Sequence, residues 1–357
     1  MAVDAPAIDM DKLNTLMGQL VGELGATVNA GLIVLGDRLG LYRAMAGAGP
    51  LTPAELAEKT GTTERYVREW LNAQAAGGLV EYDSSAQRYQ LTPEQAMAFA
   101  NEDSPAFICG AFELATATLK SEPHIEEAFK NGTGWGWHQH DTGVYTGCER
   151  FFRPGYNANL ITGWLPALAG VEEKLRVGAT VADVGCGLGS STRLMAEAYP
   201  NSRFTGFDYH RESIELARAK PETAKLGQRV SFEVAPAAGF TGGNYDLITM
   251  FDCLHDMGDP VGAARHVRQA LAPDGTWMVV EPIAGDRVED NLNPVGRAYY
   301  AFSNFLCTPS SLAQEVGLAL GAQAGEARIR DVATAAGFTR FRRAAETPFN
   351  AVYEIRA

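Results

Sequence analysis

Apolar residues recur every three or four positions from Leu13 to Leu39, which is the spacing of one face of an α-helix. The pattern predicts one long amphipathic helix or a pair of helices. Glycines within this stretch weaken the helix but allow another backbone to approach closely. We therefore predict that the apolar face packs against a second helix. Burial within the same chain and burial against a second copy are both compatible with the pattern.

The next segment, residues 51–91, has the pattern of two short helices followed by a hairpin. Thr52 and Glu55 form a capping-box pattern around a proline and predict the start of the first helix. The second helix is predicted to begin near Thr62 or Thr63 and to end at Gly77 and Gly78. The stretches LVEY and RYQL alternate and predict two strands joined by a polar turn. This order of elements is typical of a winged helix.

Charge argues against DNA as the partner of this winged helix. The whole chain carries a formal net charge of −13, and residues 51–80 hold three basic and four acidic side chains. A DNA-reading helix needs basic surroundings that neutralise phosphates, so we expect no nucleic-acid partner. We predict instead a structural or dimerising role, with a homodimer formed through the N-terminal domain. A winged-helix regulator that senses a cofactor is the second alternative.

Composition favours a cytoplasmic protein of about two domains. The chain has 357 residues, of which 46% are hydrophobic and 20% charged. Its opening MAVDAPAIDMDKLN is acidic and does not resemble a targeting peptide, and we expect no segment of membrane-spanning length. The five cysteines lie far apart without CxxC spacing, which favours reduced thiols. His138 and His140 alone make a weak metal site, so no metal is predicted.

From Ala179 onward, apolar strands alternate with amphipathic helices, which predicts an α/β fold with a doubly wound parallel sheet. We predict three regions: N-terminal helices and winged helix in residues 1–100, a helical connector and lid in 101–176, and the α/β domain in 177–357. An apolar insertion of about forty residues follows the fifth strand of this last region, before a final helix and two strands.

A glycine-rich turn follows the first α/β strand, where ligands bind in such sheets. The turn reads Asp183-Val-Gly185-Cys186-Gly187-Leu-Gly189. Its third glycine comes one residue too early for the dinucleotide GxGxxG pattern, which counts against NAD. The carboxylate of Asp183 would repel a pyrophosphate and suits a ligand with a cationic amino group.

The second α/β strand ends at Asp208. A carboxylate at this position can accept hydrogen bonds from both ribose hydroxyls of an adenosine. NAD enzymes share this feature, so Asp208 indicates a ribose without choosing the nucleotide. The alternative interpretation is that Asp208 caps the following helix.

The combination DVGCGLG and FTGFD, within Val177–Pro282, resembles class I S-adenosylmethionine-dependent methyltransferases. The order of winged helix, helical connector and the run MFDCLHDMGDP before MVVEP is similar to that of small-molecule O-methyltransferases of the plant, hydroxyindole and bacterial polyketide type. The resemblance implies S-adenosylmethionine as cofactor, S-adenosylhomocysteine as product and a small-molecule acceptor. The cofactor-binding residues predicted on this basis and from the turn are Asp183, Gly185, Cys186, Gly187, Asp208, Tyr209, Pro236, Ala237 and Asp252.

The resemblance also implies a catalytic pair. A histidine beyond the fourth strand supplies the base in these enzymes, and a glutamate ending the fifth strand orients it; the matching residues are His255 and Glu281. An imidazole with an ordinary pKa of about 6.5 is neutral at cellular pH and suits this task. The alternative is that His255 only touches the cofactor and Glu281 binds backbone. We predict methyl transfer to a hydroxyl, with N- or C-methylation or non-methylating chemistry on the same fold as alternatives.

The sequence departs from the family pattern at the predicted adenine site. An acidic residue after the third strand usually binds the adenine amino group, but the sequence there is Val234-Ala-Pro236-Ala237. We expect backbone groups of Ala237 and packing against Tyr209 or Pro236 to hold the adenine instead.

Aromatic residues suggest where an acceptor would bind. Trp135 and Trp137 lie in the loop GTGWGWHQHDTG, and Tyr300 and Phe305 lie in the insertion. We predict that these four residues line the acceptor pocket and that the insertion forms its roof. A surface loop held by its own tryptophans, or a dimer interface, would have a similar composition.

Overall fold

The predicted N-terminal helix is one continuous helix, α1 (Met10–Arg38), in a computed structural model that describes residues 8–357. The first seven residues, which belong to the predicted N-terminal domain, lie outside the described range. By length and composition α1 could cross a membrane, with a mean hydropathy of 1.3 in its most apolar window. The expectation that no segment reaches this length is therefore wrong. Leucine, valine, isoleucine and alanine keep the mean hydropathy of the helix high although polar residues lie between them.

The chain divides into two units, Met1–Thr116 and Ala117–Ala357. The remaining elements of the first unit are α2 (Leu41–Met45), α3 (Pro53–Thr60), α4 (Glu64–Ala76), β1 (Glu81–Asp83), β2 (Arg88–Gln90), α5 (Pro93–Phe99) and the beginning of α6 (Cys109–Thr118).

The winged-helix prediction is confirmed in the order of these elements. The Thr52 hydroxyl accepts a hydrogen bond from the Glu55 N–H, and the Glu55 carboxylate accepts one from the Thr52 N–H, so the predicted capping box begins α3. Helix α4 buries Val67, Trp70 and Leu71, which form its predicted apolar face. Strands β1 and β2 pair antiparallel as the wing.

The second unit contains the following elements in chain order: α7 (Glu122–Asn131), α8 (Thr142–Asn159), α9 (Val171–Val177), β3 (Thr180–Val184), α10 (Ser190–Ala198), β4 (Arg203–Asp208), α11 (Arg211–Ala219), α12 (Pro221–Lys225), β5 (Val230–Val234), β6 (Tyr245–Phe251), α13 (Pro260–Ala270), β7 (Leu271–Pro282), α14 (Pro294–Phe305), α15 (Cys307–Leu312), α16 (Gly325–Ala335), β8 (Arg340–Glu346) and β9 (Asn350–Arg356). Short 3₁₀ turns occur at Leu119–Ser121, Trp137–Gln139, Gly227–Arg229, Leu254–Asp256 and Val288–Asn291, and a π-helical turn occurs at Leu160–Trp164.

The strands of this unit form one seven-stranded sheet in the order β5-β4-β3-β6-β7-β9-β8. The first five strands of this order pair in parallel, as predicted, and the chain crosses over at β3 to build both halves of the sheet. Strand β9 pairs antiparallel with both β7 and β8, so the sheet is mostly parallel and the predicted doubly wound fold is confirmed. Only a short turn joins β8 and β9, and such a turn can join only antiparallel neighbours.

Both faces of the sheet are covered, and the strand period of two decides which residue faces which layer. On β3, Val181 belongs to one apolar cluster and Ala182 to the other; on β6, Leu247 and Ile248 divide in the same way. Burial on both faces explains why these strands are almost continuously apolar in sequence. The sheet therefore presents the carboxyl ends of β3, β4, β5, β6 and β7 at one edge.

A substitution of Gly206, in the middle of β4, tests this packing. A Cβ atom at Gly206 would lie 2.5 Å from the ring of Phe232 on β5 and 2.9 Å from Cys186 Sγ. We expect Gly206→Ala to lower the free energy of unfolding by about 1–3 kcal/mol through overpacking, which thermal denaturation measures. Gly243→Ala, at a position with nothing within 4 Å, is the control. Partial rescue by Phe232→Leu is expected; no loss of stability in Gly206→Ala would contradict the described packing.

Candidate active site

A cavity of about 340 Å³ opens at the carboxyl edge of the sheet in the second unit. Its walls come from the glycine turn after β3, the end of β4, the segment after β5, the 3₁₀ turn after β6, and helices α8 and α15. Ligands bind at this edge in open α/β sheets, beside the strand where the chain order reverses. The cavity is therefore the place to examine each predicted site residue.

The glycine turn forms the floor of the cavity. Gly185 has a φ of +75°, and a Cβ atom there would lie 2.6 Å from Cys253 Sγ. The positive φ and the lack of space for a Cβ atom both require glycine at this position. The N–H groups of Gly185 and Cys186 donate to the Phe207 carbonyl at 2.7 and 3.0 Å, which ties the turn to the end of β4. Gly185, Cys186 and Gly187 all line the cavity.

Asp208 lies where the sequence predicted a ribose-binding carboxylate. Its Oδ2 accepts the Gly187 N–H at 2.9 Å and its Oδ1 accepts the His210 N–H at 2.8 Å. Each carboxylate oxygen keeps a second lone pair, and Asp208 lines the cavity, so both oxygens can accept a further hydrogen bond from a ligand. Burial raises the pKa of Asp208, and the two backbone N–H groups oppose this rise.

Asp183 does not have the predicted position. It is buried, does not line the cavity and binds hydroxyls of its own chain: Oδ2 accepts from Ser191 at 2.7 Å and Thr192 at 2.6 Å, and Oδ1 accepts from Thr249 at 2.8 Å. The structure therefore does not place Asp183 where it could directly contact a cationic group of a ligand in the cavity. Its carboxylate instead holds the start of α10 and strand β6 against the glycine turn.

The predicted adenine end of the cavity is apolar. Ala235, Pro236 and Ala237 line it after β5, and Tyr209 lines it after β4. The Ala235 N–H donates to the Asp208 carbonyl at 3.0 Å, which fixes the segment beside the ribose position. No side chain between residues 234 and 237 carries a charge. A flat ring in this part of the cavity would be held by packing and by backbone groups.

His255 and Glu281 lie together, as the resemblance implied. His255 Nδ1 is 2.5 Å from Glu281 Oε2, and Glu281 Oε1 accepts the Leu254 N–H at 3.0 Å. The side chains of both residues are 4% exposed. His255 does not itself line the cavity; Asp256 does, with a side chain that is 23% exposed and an Oδ1 that lies 3.1 Å from His255 Nε2. The carboxylate of Asp256 thus separates the imidazole from the cavity.

The protonation of His255 differs from the sequence expectation. Burial opposes a charged imidazolium, but the carboxylates of Glu281 and Asp256 outweigh burial and raise the pKa of His255 well above its usual value. The expectation of a neutral imidazole with an ordinary pKa is therefore corrected. The raised pKa favours the charged imidazolium, which lies between the carboxylates of Glu281 and Asp256.

Asp252 lines the cavity between the glycine turn and this pair. It has a φ of +49°, which is unusual for a residue other than glycine. Its Oδ1 accepts the Asn350 amide at 2.8 Å, whereas its buried Oδ2 has no hydrogen-bond partner among residues 8–357. Burial and the nearby Glu281 raise the pKa of Asp252 well above the usual range, which favours a neutral carboxyl group.

Three of the four residues predicted to line the acceptor pocket lie elsewhere. Trp137 lines the cavity, but Trp135, Tyr300 and Phe305 do not. Trp135 stacks on His124 with ring centroids 3.8 Å apart, and its backbone N–H donates to the Pro309 carbonyl at 3.0 Å. Composition identified the aromatic segments but could not tell which ring turns inward.

The sequence reasoning missed the cavity residues of two helices. Cys148, Phe152 and Tyr156 recur every four residues on α8 and share one face, and Ser310 and Gln314 follow the same spacing at α15. This spacing is the signal that would have found them. From the insertion, polar residues of the α15 region rather than the aromatic residues of α14 reach the cavity.

Two family models match the chain. Residues 27–101 match the Rv2258c-like winged HTH domain, and residues 182–277 match the methyltransferase domain. Together they cover the winged helix and the strands and helices that build the cavity floor.

Curated relatives match the methyltransferase part of the chain. A trans-aconitate 2-methyltransferase from Streptomyces avermitilis is 37% identical over 116 residues, which are 32% of this chain and 43% of that protein. A ubiquinone biosynthesis O-methyltransferase from Bordetella parapertussis is 32% identical over 134 residues, which are 36% of this chain and 52% of that protein. The chain thus spans about half the length of the curated relatives it matches.

Solved structures match nearly the whole chain in fold. Human N-acetylserotonin methyltransferase in complex with S-adenosylmethionine has a TM-score of 0.71 and 16% identity, with 99% of each chain covered. This likeness confirms the predicted fold. The protein therefore has the class I methyltransferase fold, and a winged HTH domain precedes its methyltransferase domain.

Proposed function

We propose that this protein transfers a methyl group from S-adenosylmethionine to a hydroxyl of a small, largely apolar or aromatic metabolite. One observation carries the proposal: a single cavity contains the glycine turn, the Asp208 carboxylate and, at its other end, the Asp256 carboxylate next to His255 and Glu281. A nucleoside-binding end and a proton-accepting end thus belong to the same site. The methyltransferase domain match and the named relatives support this activity.

The residues of the cavity fit S-adenosylmethionine. The Asp208 lone pairs suit ribose hydroxyls, the apolar segment at Ala235–Ala237 suits a flat base, and a side chain at Gly185 would fill the turn. Asp252 and Asp256 add polar groups toward the acceptor end. When bound, the cofactor supplies an electrophilic methyl group on a sulfonium.

The chain's own residues then bind the acceptor and accept its proton. Phe152, Tyr156 and Phe251 provide an aromatic wall that suits a planar or apolar acceptor. We propose that the acceptor hydroxyl loses its proton through the Asp256 carboxylate to His255, in the form of the site in which the imidazolium has first released its own proton to solvent. The Asp256 carboxylate reaches the cavity, and Glu281 holds the imidazole through Nδ1. Positioning and proton removal are the contributions that transfer from a sulfonium requires of the protein.

Product analysis tests the proposed activity directly. The purified protein is incubated with S-adenosylmethionine carrying a labelled methyl group and a panel of phenols, matched anilines and matched aromatic hydrocarbons. We expect S-adenosylhomocysteine and a labelled methyl ether from at least one phenol. Label found only on nitrogen or carbon would reject O-methylation. Cofactor binding without any methylated product would favour non-methylating chemistry.

We further propose that two copies associate through the N-terminal unit. Leu13, Leu16, Leu20, Leu24 and Val28 form an apolar row on α1, and each is at least 36% exposed within the chain. A second copy suits this row better than an anionic membrane, because the net charge of −13 repels such a surface. Residues 27–101 match a winged HTH domain, and their acidic balance leaves dimerisation as the favoured use.

A charge placed in the apolar row tests this interface. We expect Leu24→Glu to weaken dimerisation at least about tenfold, because burying one leucine stabilises by about 1.5–3 kcal/mol and both copies lose it. Gln19→Glu adds the same charge to α1 outside the row and is the control. Sedimentation over a range of concentrations measures the association. A wild-type chain that stays monomeric, or that floats with neutral lipid vesicles, would contradict the proposed interface.

A further inference from the structure

Three different ligand atoms converge at the acceptor end of the cavity. One imidazole nitrogen of His255, one carboxylate oxygen of Asp256 and the Cys307 sulfur all lie within 4.8 Å of one another, and within residues 8–357 they form the one such group of three His, Cys, Asp or Glu side chains. His255 and Cys307 are buried, and Asp256 lines the cavity. We propose that these three side chains form a binding site for Zn²⁺ whose fourth coordination position faces the cavity.

The contact between His255 and Asp256 supports this assignment. Asp256 Oδ1 lies 3.1 Å from His255 Nε2, yet this buried oxygen has no hydrogen-bond partner among the described residues. Because His255 Nε2 and Asp256 Oδ1 lie close together without forming a hydrogen bond, each can direct a lone pair toward a cation bound between them. With Zn–N and Zn–O bonds of about 2.0–2.2 Å, the separation corresponds to an angle at the metal of roughly 90–100°, within reach of tetrahedral coordination.

Glu281 provides the outer partner that metal-bound histidines usually have. Its Oε2 lies 2.5 Å from His255 Nδ1, and its Oε1 accepts the Leu254 N–H, so both the ring and the carboxylate are held in place. A carboxylate on Nδ1 fixes the tautomer that leaves Nε2 free for a metal and raises its basicity. The ring orientation that brings Nε2 toward Asp256 and Cys307 is thus built into β7 and the turn after β6.

The ligand set selects the type of metal. An imidazole nitrogen, a carboxylate oxygen and a thiolate sulfur together suit Zn²⁺, whereas Mg²⁺ and Ca²⁺ prefer oxygen ligands. As the Zn–N and Zn–S bonds form, the His255 imidazolium and the Cys307 thiol each lose one proton to the solvent, and the two anionic ligands then balance the charge of the metal. Three protein ligands leave one position, and Asp256 and Ser310 border the cavity on that side.

Zinc and a transferred proton would use the same atoms. A metal bound to His255 and Asp256 removes the pair from proton acceptance, so Zn²⁺ inhibits methyl transfer. This consequence rests on the proposed function, whereas the metal site itself does not. Free Zn²⁺ therefore inhibits the enzyme, and this inhibition depends on the Cys307 ligand.

Cobalt binding tests the site without any assay of activity. The purified full chain, freed of metal by a chelator, is titrated with Co²⁺ and followed by absorption, and Zn²⁺ is then added to displace the cobalt. We expect one bound Co²⁺ with a thiolate-to-metal charge-transfer band and visible bands of four-coordinate cobalt. Cys307→Ser should abolish the charge-transfer band, and Glu281→Gln should weaken affinity roughly 10- to 100-fold. Circular dichroism and thermal denaturation verify that each variant is folded.

Cys148→Ser is the matched control, because Cys148 is another thiol that lines the same cavity but lies outside the group of three. It should keep the charge-transfer band. Absence of Co²⁺ binding, a band that persists in folded Cys307→Ser, or a band lost in Cys148→Ser would each overturn the proposal. A protein that binds Co²⁺ through Cys307 but yields no methylated product would retain the metal site and reject the proposed function. With an identified acceptor, the Zn²⁺ concentration for half inhibition should rise at least about tenfold in Cys307→Ser.

Discussion

Replacing His255 by alanine should abolish most of the turnover and leave cofactor binding nearly unchanged. General acid–base catalysis contributes about 10²–10⁴-fold to rates. His255 Nε2 lies 3.1 Å from the carboxylate of Asp256, which lines the cavity. We expect a fall in kcat within that range. Asp256→Asn should cause a comparable fall, because the amide cannot take the acceptor's proton. Steady-state kinetics with an acceptor found in the product analysis, together with calorimetric titration of S-adenosylmethionine, measure the two effects separately.

His266 offers the matched control for this experiment. It lies on α13 outside the cavity, and its Nε2 is 2.8 Å from the Phe240 carbonyl. His266→Ala should keep kcat within a few-fold of the wild type. Turnover retained in His255→Ala and in Asp256→Asn would show that holding the acceptor close to the methyl group is sufficient, and the proposed proton acceptor would then be wrong.

Replacing Asp208 by alanine should weaken binding of both S-adenosylmethionine and S-adenosylhomocysteine. Each hydrogen bond to a charged group is worth about 1.5–3 kcal/mol, so the loss of even one ribose contact lowers affinity roughly 10- to 100-fold. The substitution also removes the acceptor of the Gly187 and His210 N–H groups, which loosens the turn. Calorimetry with both ligands and with NAD measures the effect. The wild type should bind the two sulfur ligands and not NAD.

Asp246 is the matched aspartate at the opposite edge of the sheet. Its Oδ2 accepts the Thr180 N–H at 2.9 Å, at the amino ends of β3 and β6. Asp246→Ala should leave both affinities unchanged. Asp208→Asn, which keeps one oxygen acceptor, should lie between the wild type and the alanine variant. Equal affinity in the wild type and in Asp208→Ala would exclude Asp208 from the nucleoside site.

The local elements were predictable because their signals are local. The capping box at Thr52, the apolar face of α4 and the alternation of strands and helices after Ala179 depend on residues a few positions apart. The glycine turn and Asp208 could be placed at one edge for a related reason: parallel strands joined by helices bring their carboxyl ends together.

Side-chain orientation was less predictable. Trp135 and Trp137 are two residues apart in the same glycine-rich loop, yet only Trp137 reaches the cavity. Asp183 has the sequence position of a ligand-binding carboxylate, but three hydroxyls from α10 and β6 bind it instead. Both outcomes depend on contacts with elements that are distant in the chain, and no periodic pattern encodes such contacts.

By itself, the sequence determined the winged helix, the succession of strands and helices, the glycine turn and the carboxylate at Asp208, because hydrophobic period, capping and backbone freedom act over a few residues. Only the tertiary structure decided the chemistry of the acceptor end. It joined His255 and Asp256 to Cys307 from the insertion, and it buried the imidazole between two carboxylates that raise its pKa. Proximity and desolvation arise when distant segments pack together, so they exist only in the folded chain.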